Sequence, residues 1–217
     1  IIAMDPKTGD VKAMVKKPDY NPNTPTKAVY PVYEELLEEC KSDSEKIKAY
    51  STMWRNTAIS DTYEPGSTFK LITSSSGLEE GVVKQDDKFT CSGSVIVEGQ
   101  KIKCWRSYRP HGSETFKQGV QNSCNPVFVE VGRRLGVSKM YDYIEAFGLN
   151  KKTGIDLPGE AGSIMYNEKN VGPVELATIS FGQSISVTPI QLITAVCSIV
   201  NDGNRMEPRL VKITKAI

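Results

Sequence analysis

Ser67-Thr68-Phe69-Lys70 sets a serine hydroxyl and a lysine amine three residues apart. A serine hydroxyl is a poor nucleophile until a neighbouring base takes its proton. On a helix, residues i and i+3 share a face, so Lys70 can reach Ser67. A lysine withdrawn from water can lose its proton near neutral pH and act as that base. A serine at a helix N-terminus also has free backbone N–H groups beside it, suited to a developing oxyanion. The chemistry this points to is acyl transfer through a serine ester. The same four residues also arise as a capping serine followed by a solvated lysine, so the pattern needs support. Glu64-Pro65-Gly66 gives some, because a Pro-Gly turn fixes where the serine enters the helix. Ser123-Cys124-Asn125 gives more. Ser123 could relay a proton between Lys70 and an amine, and Asn125 could hold a substrate amide through paired donor and acceptor groups. Taken alone, those three residues read equally as a polar turn before Pro126.

A second set of chemistry-bearing residues is Cys91, Cys104, His111 and Cys124, spaced by 13, 7 and 13 residues. Three thiols and one imidazole make a closed tetrahedral zinc site of structural type. The spacing is not that of a zinc finger. The 84–112 stretch is poor in apolar residues and would need a staple to stay ordered. If Ser123 and Asn125 face a substrate, Cys124 points away from it, toward whatever packs behind. A Cys91–Cys104 disulfide, or unpaired thiols with a surface histidine, are the rival readings. Cys40 and Cys197 read as single buried thiols.

The elements that must position these groups follow from pattern. Ile1–Met4 and Val11–Val15 read as two strands joined by a turn containing Gly9. Prolines 18, 22, 25 and 31 mark an extended connection. Residues 32–50 read as one helix, a surface insertion rich in Lys, Glu and Ser. A helix is predicted from Ser67 to Glu80, stopped at Gly81. Residues 84–112 read as a Cys/His-rich loop or short strands. Helices are predicted near 116–121, 126–135, 139–147 with Ser138 as cap, 173–180, and from Pro189 to about Val200 with Thr188 as cap. A closing strand is predicted over 207–214. Trp54, Trp105 and Tyr108 could line a groove, though core packing is the commoner role for an aromatic residue. With 27 Lys and Arg against 26 Asp and Glu, the chain lacks the basic excess of a nucleic-acid surface. It shows no membrane-spanning run and no signal-peptide pattern, and it opens as if already inside a fold. These features read as a segment of a longer polypeptide, and as one mixed α/β domain over 1–217.

The ordered motifs resemble one family, the class B penicillin-binding proteins, which are peptidoglycan transpeptidases. The resemblance rests on Asp5-Pro6-Lys7-Thr8-Gly9, Tyr63 through Lys70, His111-Gly112, Ser123-Cys124-Asn125-Pro126, Thr153-Gly154-Ile155-Asp156-Leu157-Pro158-Gly159-Glu160, Thr188 through Leu192, and Asn201-Asp202-Gly203. The Cys-rich middle also resembles sporulation-specific members. The resemblance implies an α/β (α+β) fold of the penicillin-binding-protein and serine β-lactamase type, with helices packed on an antiparallel sheet. It implies Ser67 as nucleophile, Lys70 and Ser123 as proton carriers, and Asn125 as a substrate-binding residue. It implies stem peptides and β-lactams as ligands, a membrane glycosyltransferase partner, and a place on the extracytoplasmic face of the cell membrane. Some members carry zinc near the second motif, which supports the four-residue set. No nucleic acid and no cofactor for acyl transfer are implied. The rival function is a non-catalytic module, either a β-lactam sensor or a zinc-stapled scaffold. No residue stands out to activate water, so a β-lactamase is the weaker enzyme reading. The family also needs a Lys-Thr-Gly on an edge strand. Lys7-Thr8-Gly9 precedes the nucleophile, and Lys152-Thr153-Gly154 belongs to the Gly-Ile-Asp-Leu-Pro-Gly string, so neither qualifies. The third motif is expected beyond Ile217, leaving this segment's fold incomplete at its C-terminal end.

Overall fold

The structure is a computed structural model that describes residues 1–211. Strands β1 (Ile2–Met4) and β2 (Val11–Met14) pair antiparallel, with Ile2 opposite Met14 and Ala3 opposite Ala13. The helix predicted over 32–50 is two helices, α1 (Pro31–Glu38) and α2 (Asp43–Trp54). The break has a local cause: Ser42 caps α2, accepting from the Glu45 N–H while the Glu45 carboxylate takes the Ser42 N–H. A reciprocal cap of this kind starts a new helix, so the chain cannot run through it. A short α3 (Thr57–Ser60) follows, capped by Asn56. Ser67 lies in a tight 3₁₀ turn, Gly66–Thr68, that feeds α4 (Lys70–Glu79).

The 84–112 segment is mostly short strands. β3 (Lys88–Cys91) pairs with β6 (Gly112–Thr115), and between them β4 (Ser94–Val97) and β5 (Gln100–Lys103) form a hairpin. Its turn, Glu98-Gly99, has both φ values positive, at 45° and 78°. That is the twist a two-residue hairpin demands. Thr115 then caps α5 (Phe116–Gln121), and α6 (Asn125–Leu135) starts with Pro126 in its first turn. Helix α7 (Val137–Ala146) begins two residues earlier than a Ser138 cap allows: Gly136 occupies the cap position, because its φ of 78° makes the sharp turn out of α6. Strands β7 (Ile164–Met165) and β8 (Ile185–Ser186) pair across α8 (Pro173–Ile179), and α9 (Pro189–Ile199) opens with Thr188 and Gln191 in a capping box.

Helices α4, α6, α7, α8 and α9 share the main core, through Phe69, Ile72, Leu135, Met140, Ile144, Ile179 and Leu192. Each such side chain contributes on the order of 1.5–3 kcal/mol on burial. A second cluster under β3 and β6 holds Phe89, Phe116, Val127 and Val131 together with Cys91, Cys104 and Cys124. All four ladders are antiparallel, as expected, but among the described residues they stay separate two-stranded pairs. The closing strand predicted over 207–214 lies partly outside the described residues. Within them, Arg209 pairs with the first hairpin, giving its N–H to Gly9 and accepting from Val11. No helix among the described residues is long and apolar enough to cross a membrane.

Candidate active site

Four motif side chains meet at the start of α4. The Ser123 hydroxyl donates to Ser67 Oγ at 2.8 Å. Lys70 Nζ lies 3.3 Å from Ser67 Oγ and donates to Ser123 Oγ at 2.9 Å, the Ser123 carbonyl at 2.8 Å and Asn125 Oδ1 at 2.7 Å. It also stands over the Phe128 ring, 5.2 Å from its centre. Ser67 is exposed while Lys70 is only 4% exposed, so the expected nucleophile faces solvent and the expected base does not. Burial drives the Lys70 pKa down to about 8, against a smaller upward pull from Cys124 and Cys104. Every residue predicted for the acyl-transfer site is therefore in one hydrogen-bonded group.

The placement of Ser67 depends on a contact the sequence did not suggest. Gly66 donates its N–H to the Gly182 carbonyl at 2.8 Å. Gly182 has φ +82°, and a Cβ there would overlap the Gly66 carbonyl and come within 2.7 Å of Phe69 Cβ. The turn carrying the nucleophile is thus pressed against the end of α8. Glu64 ties the same two segments by accepting from the Ser184 N–H at 2.8 Å. Gly182 carries no motif signal; Glu64 belongs to the Tyr63–Lys70 string, but that string does not show its contact with Ser184.

The second motif is held from the strand side. Ser123 adopts φ +51°, a left-handed conformation that serine rarely takes, and its neighbours carry the hydrogen bonds that hold it there. Asn122 gives its amide to Glu114 Oε2 at 2.9 Å and accepts at its carbonyl from Trp105 Nε1 at 2.9 Å. Asn125 Nδ2 donates to the Lys103 carbonyl at 3.0 Å. Trp105 is 60% exposed and edge-on to His111, so core packing is not its role. The same correction holds for Trp54, which stacks on Tyr50 and donates to Pro25, and for Tyr108, which is exposed. Trp54 lines shallow clefts beside Tyr20, Arg55 and Asn56, which keeps the groove reading for that ring. Cys40, expected to be buried, is half-exposed beside the α1–α2 break and donates to the Leu36 carbonyl.

Behind this motif the donor atoms of Cys91, Cys104, His111 and Cys124 all lie within 4.8 Å of one another. All five thiols in the chain are free. Burial, followed by the Glu114 carboxylate, pushes the Cys124 thiol pKa far up. His111 Nε2 and Glu114 Oε1 are buried without hydrogen-bond partners. Unpaired buried polar atoms are costly, and around three thiols they mark a place where a cation would be stabilised. A tetrahedral zinc places sulfur ligands roughly 3.8 Å apart, so this donor set fits such an ion after a small contraction.

The site opens into a cleft of about 490 Å³, lined by Ser67, Lys101, Lys103, Asn125, Thr178, Phe181 and Gln183. Neither Lys-Thr-Gly triplet borders it. Gly9 turns the first hairpin against Glu207, and Thr153 is bound through its N–H and hydroxyl to Glu160. Both triplets are structural, in keeping with their exclusion on sequence.

Residues 1–216 match the family described as the penicillin binding protein transpeptidase domain. The chain is 42% identical over 212 residues to stage V sporulation protein D of Bacillus subtilis, covering 97% of this chain and 30% of that protein. It is 27% identical to the peptidoglycan D,D-transpeptidase MrdA of Acinetobacter baumannii, covering 99% of this chain and 32% of that protein. Among solved structures it is similar to penicillin-binding protein 3 of Mycobacterium tuberculosis in complex with aztreonam, with a TM-score of 0.78 and 27% identity, over 97% of this chain and 42% of that one. The chain thus spans about a third of the length of these curated relatives. With an ordered serine, lysine, serine and asparagine set, and a family match along its length, the chain belongs to the penicillin-binding protein transpeptidase domain family.

Proposed function

We propose that the protein is a peptidoglycan D,D-transpeptidase acting through an ester on Ser67. The hydrogen-bonded chain from Ser67 through Ser123 to a buried Lys70 carries this reading. Ser67 Oγ attacks the carbonyl carbon between the two terminal D-alanines of a stem peptide. Its proton passes to neutral Lys70, directly or through Ser123. The same proton then reaches the departing D-alanine nitrogen as the peptide bond breaks. An amine from a neighbouring stem attacks the ester, its proton follows the chain back, and Ser67 leaves as the alcohol. A β-lactam would acylate Ser67 in the same way, but its leaving nitrogen stays tethered to the opened ring. Asn125, anchored by Lys70 and the Lys103 carbonyl, presents its amide to the substrate backbone. Incubation with a fluorescent penicillin tests the reading. Wild type is expected to carry one label and the Ser67→Ala variant none. Label that survives the substitution would displace the site, and an unlabelled wild type would favour a scaffold.

The resemblance to a sporulation protein, together with the cysteine-rich segment, supports a role in spore wall cross-linking. A membrane anchor outside this segment and a glycosyltransferase partner belong to the same reading. Cys91, Cys104, His111 and Cys124 would hold a zinc ion that supplies no step of acyl transfer and serves as a structural staple. The donor set and the unpaired Glu114 and His111 atoms support this. Protein purified without chelator is expected to carry one zinc per chain, and Cys124→Ser to lose it. A mass two hydrogens lighter with no metal would mean a disulfide instead.

A further inference from the structure

The β5 wall of the cleft has a charge character that the acyl-transfer machinery does not use. Lys101 and Lys103 stand two residues apart on β5, so their side chains leave the same face of the strand. Both line the Ser67 cleft and both are exposed. Neither ammonium has a carboxylate or hydrogen-bond partner among the described residues. The charge continues along the chain: residues 100–110 contain Lys101, Lys103, Arg106 and Arg109 and no acid. None of the four forms an ion pair among the described residues. The whole chain has a net charge of only +1, so this is a local feature and not a consequence of composition. No carboxylate lines the cleft among the described residues. The nearest acid in sequence is Glu98, at the tip of the hairpin turn. Unpaired cations along one wall of a concave site raise the local concentration of anionic ligand and orient it.

We infer that Lys101 and Lys103 are specificity residues that select a donor stem peptide bearing a side-chain carboxylate ahead of its D-Ala-D-Ala end. This rests on the acyl-transfer reading for the identity of the ligand as a peptide. Asn125 is fixed to the Lys103 carbonyl, so the strand that carries the lysines also sets the amide that holds the substrate backbone. A peptide lying along β5 toward Ser67 therefore passes both ammonium groups before its scissile bond. Exposed ion pairs are individually weak, so the two together give about a fivefold preference at low salt.

Two synthetic pentapeptides ending in D-Ala-D-Ala test this, identical except that the third residue carries a carboxylate or its amide. Their binding to the full-length protein is measured by fluorescence anisotropy in the Ser67→Ala background, so that no acyl transfer intervenes. Fluorescent-penicillin labelling of wild type is run in parallel. The acid peptide is expected to bind about fivefold tighter, with the preference shrinking as salt rises. Lys101→Gln with Lys103→Gln should bring the two peptides within about twofold, and Lys101→Arg with Lys103→Arg should retain the preference. Equal affinities, a preference indifferent to salt, or one that survives the glutamine pair would overturn the inference. So would lysine-dependent binding to phosphatidylglycerol vesicles without peptide preference, which would make this a lipid-facing surface. A lysine-dependent preference in a protein whose Ser67 takes no penicillin would keep the inference and remove the catalytic reading.

Discussion

On the proposed reading Lys70 must be available as a base near neutral pH, which an exposed lysine is not. Burial meets this need by disfavouring the ammonium, which lowers the pKa to about 8. The sign of the consequence is fixed. On the proposed reading the neutral amine is the active form, and it accumulates as pH rises. Second-order acylation of Ser67 by a penicillin is therefore expected to climb with pH through about 8 and level off above it. Stopped-flow or gel-based labelling between pH 6 and 10 measures this, and a rate that falls across that range would assign the proton transfer to another group. Ser123 shows a similar economy. Its left-handed backbone turns its hydroxyl toward Ser67 and its carbonyl toward Lys70 at once. Sequence named both residues, but not this conformation, which needs Asn122 to be held by Trp105 and Glu114.

At the scale of elements, the site is a junction between the 3₁₀ turn before α4, the end of α8, and the start of α6. The tightest point is Gly182 against Gly66. Gly182→Ala would need both a left-handed alanine and a displaced nucleophile turn, at a combined cost of about 2–4 kcal/mol. Urea unfolding should show that loss, and the folded fraction should label more slowly than wild type. An unchanged midpoint would mean that the turn yields freely. Helix starts were the most legible elements. Thr115 with Gln118 and Thr188 with Gln191 cap α5 and α9 through contacts between near neighbours. The split between α1 and α2 is not legible in the apolar pattern, because it rests on the Ser42–Glu45 cap within a polar stretch.

At the scale of the molecule, two chain segments far apart in sequence bring the ends together. The Asp10 carboxylate accepts from Arg209 Nε at 2.9 Å, and this bond, with one from Lys12, lowers the Asp10 pKa to about 2. The described residues supply one wall of the cleft from β5 and one from the end of α8, with short antiparallel ladders in place of a continuous sheet. On the proposed reading a Lys-Thr-Gly strand beyond Ile217 supplies the second oxyanion donor. Adding such a donor is worth roughly 100- to 1000-fold in rate. Residues 1–217 alone are thus expected to acylate slower than the longer polypeptide by about that factor, read by penicillin labelling of the two side by side. Equal rates would show that this segment already holds both donors.

The sequence by itself marked out Ser67, Lys70, the second motif, the four metal-type donors and most helix positions, and the fold brings each group together. These depend on residue type and on spacing within a turn or two, where local geometry is nearly obligatory. It could not determine which face of β5 meets the cleft, that Gly182 supports the nucleophile turn, or that Trp105 and Glu114 hold Asn122. Those contacts join residues 8 to 116 positions apart. Only the packing of α4, α6 and α8 around Phe69, Leu135 and Ile179 brings such partners within hydrogen-bond reach. The same packing brings the Lys70 pKa down from that of a solvated lysine, because the sequence supplies the amine but only the fold removes its water.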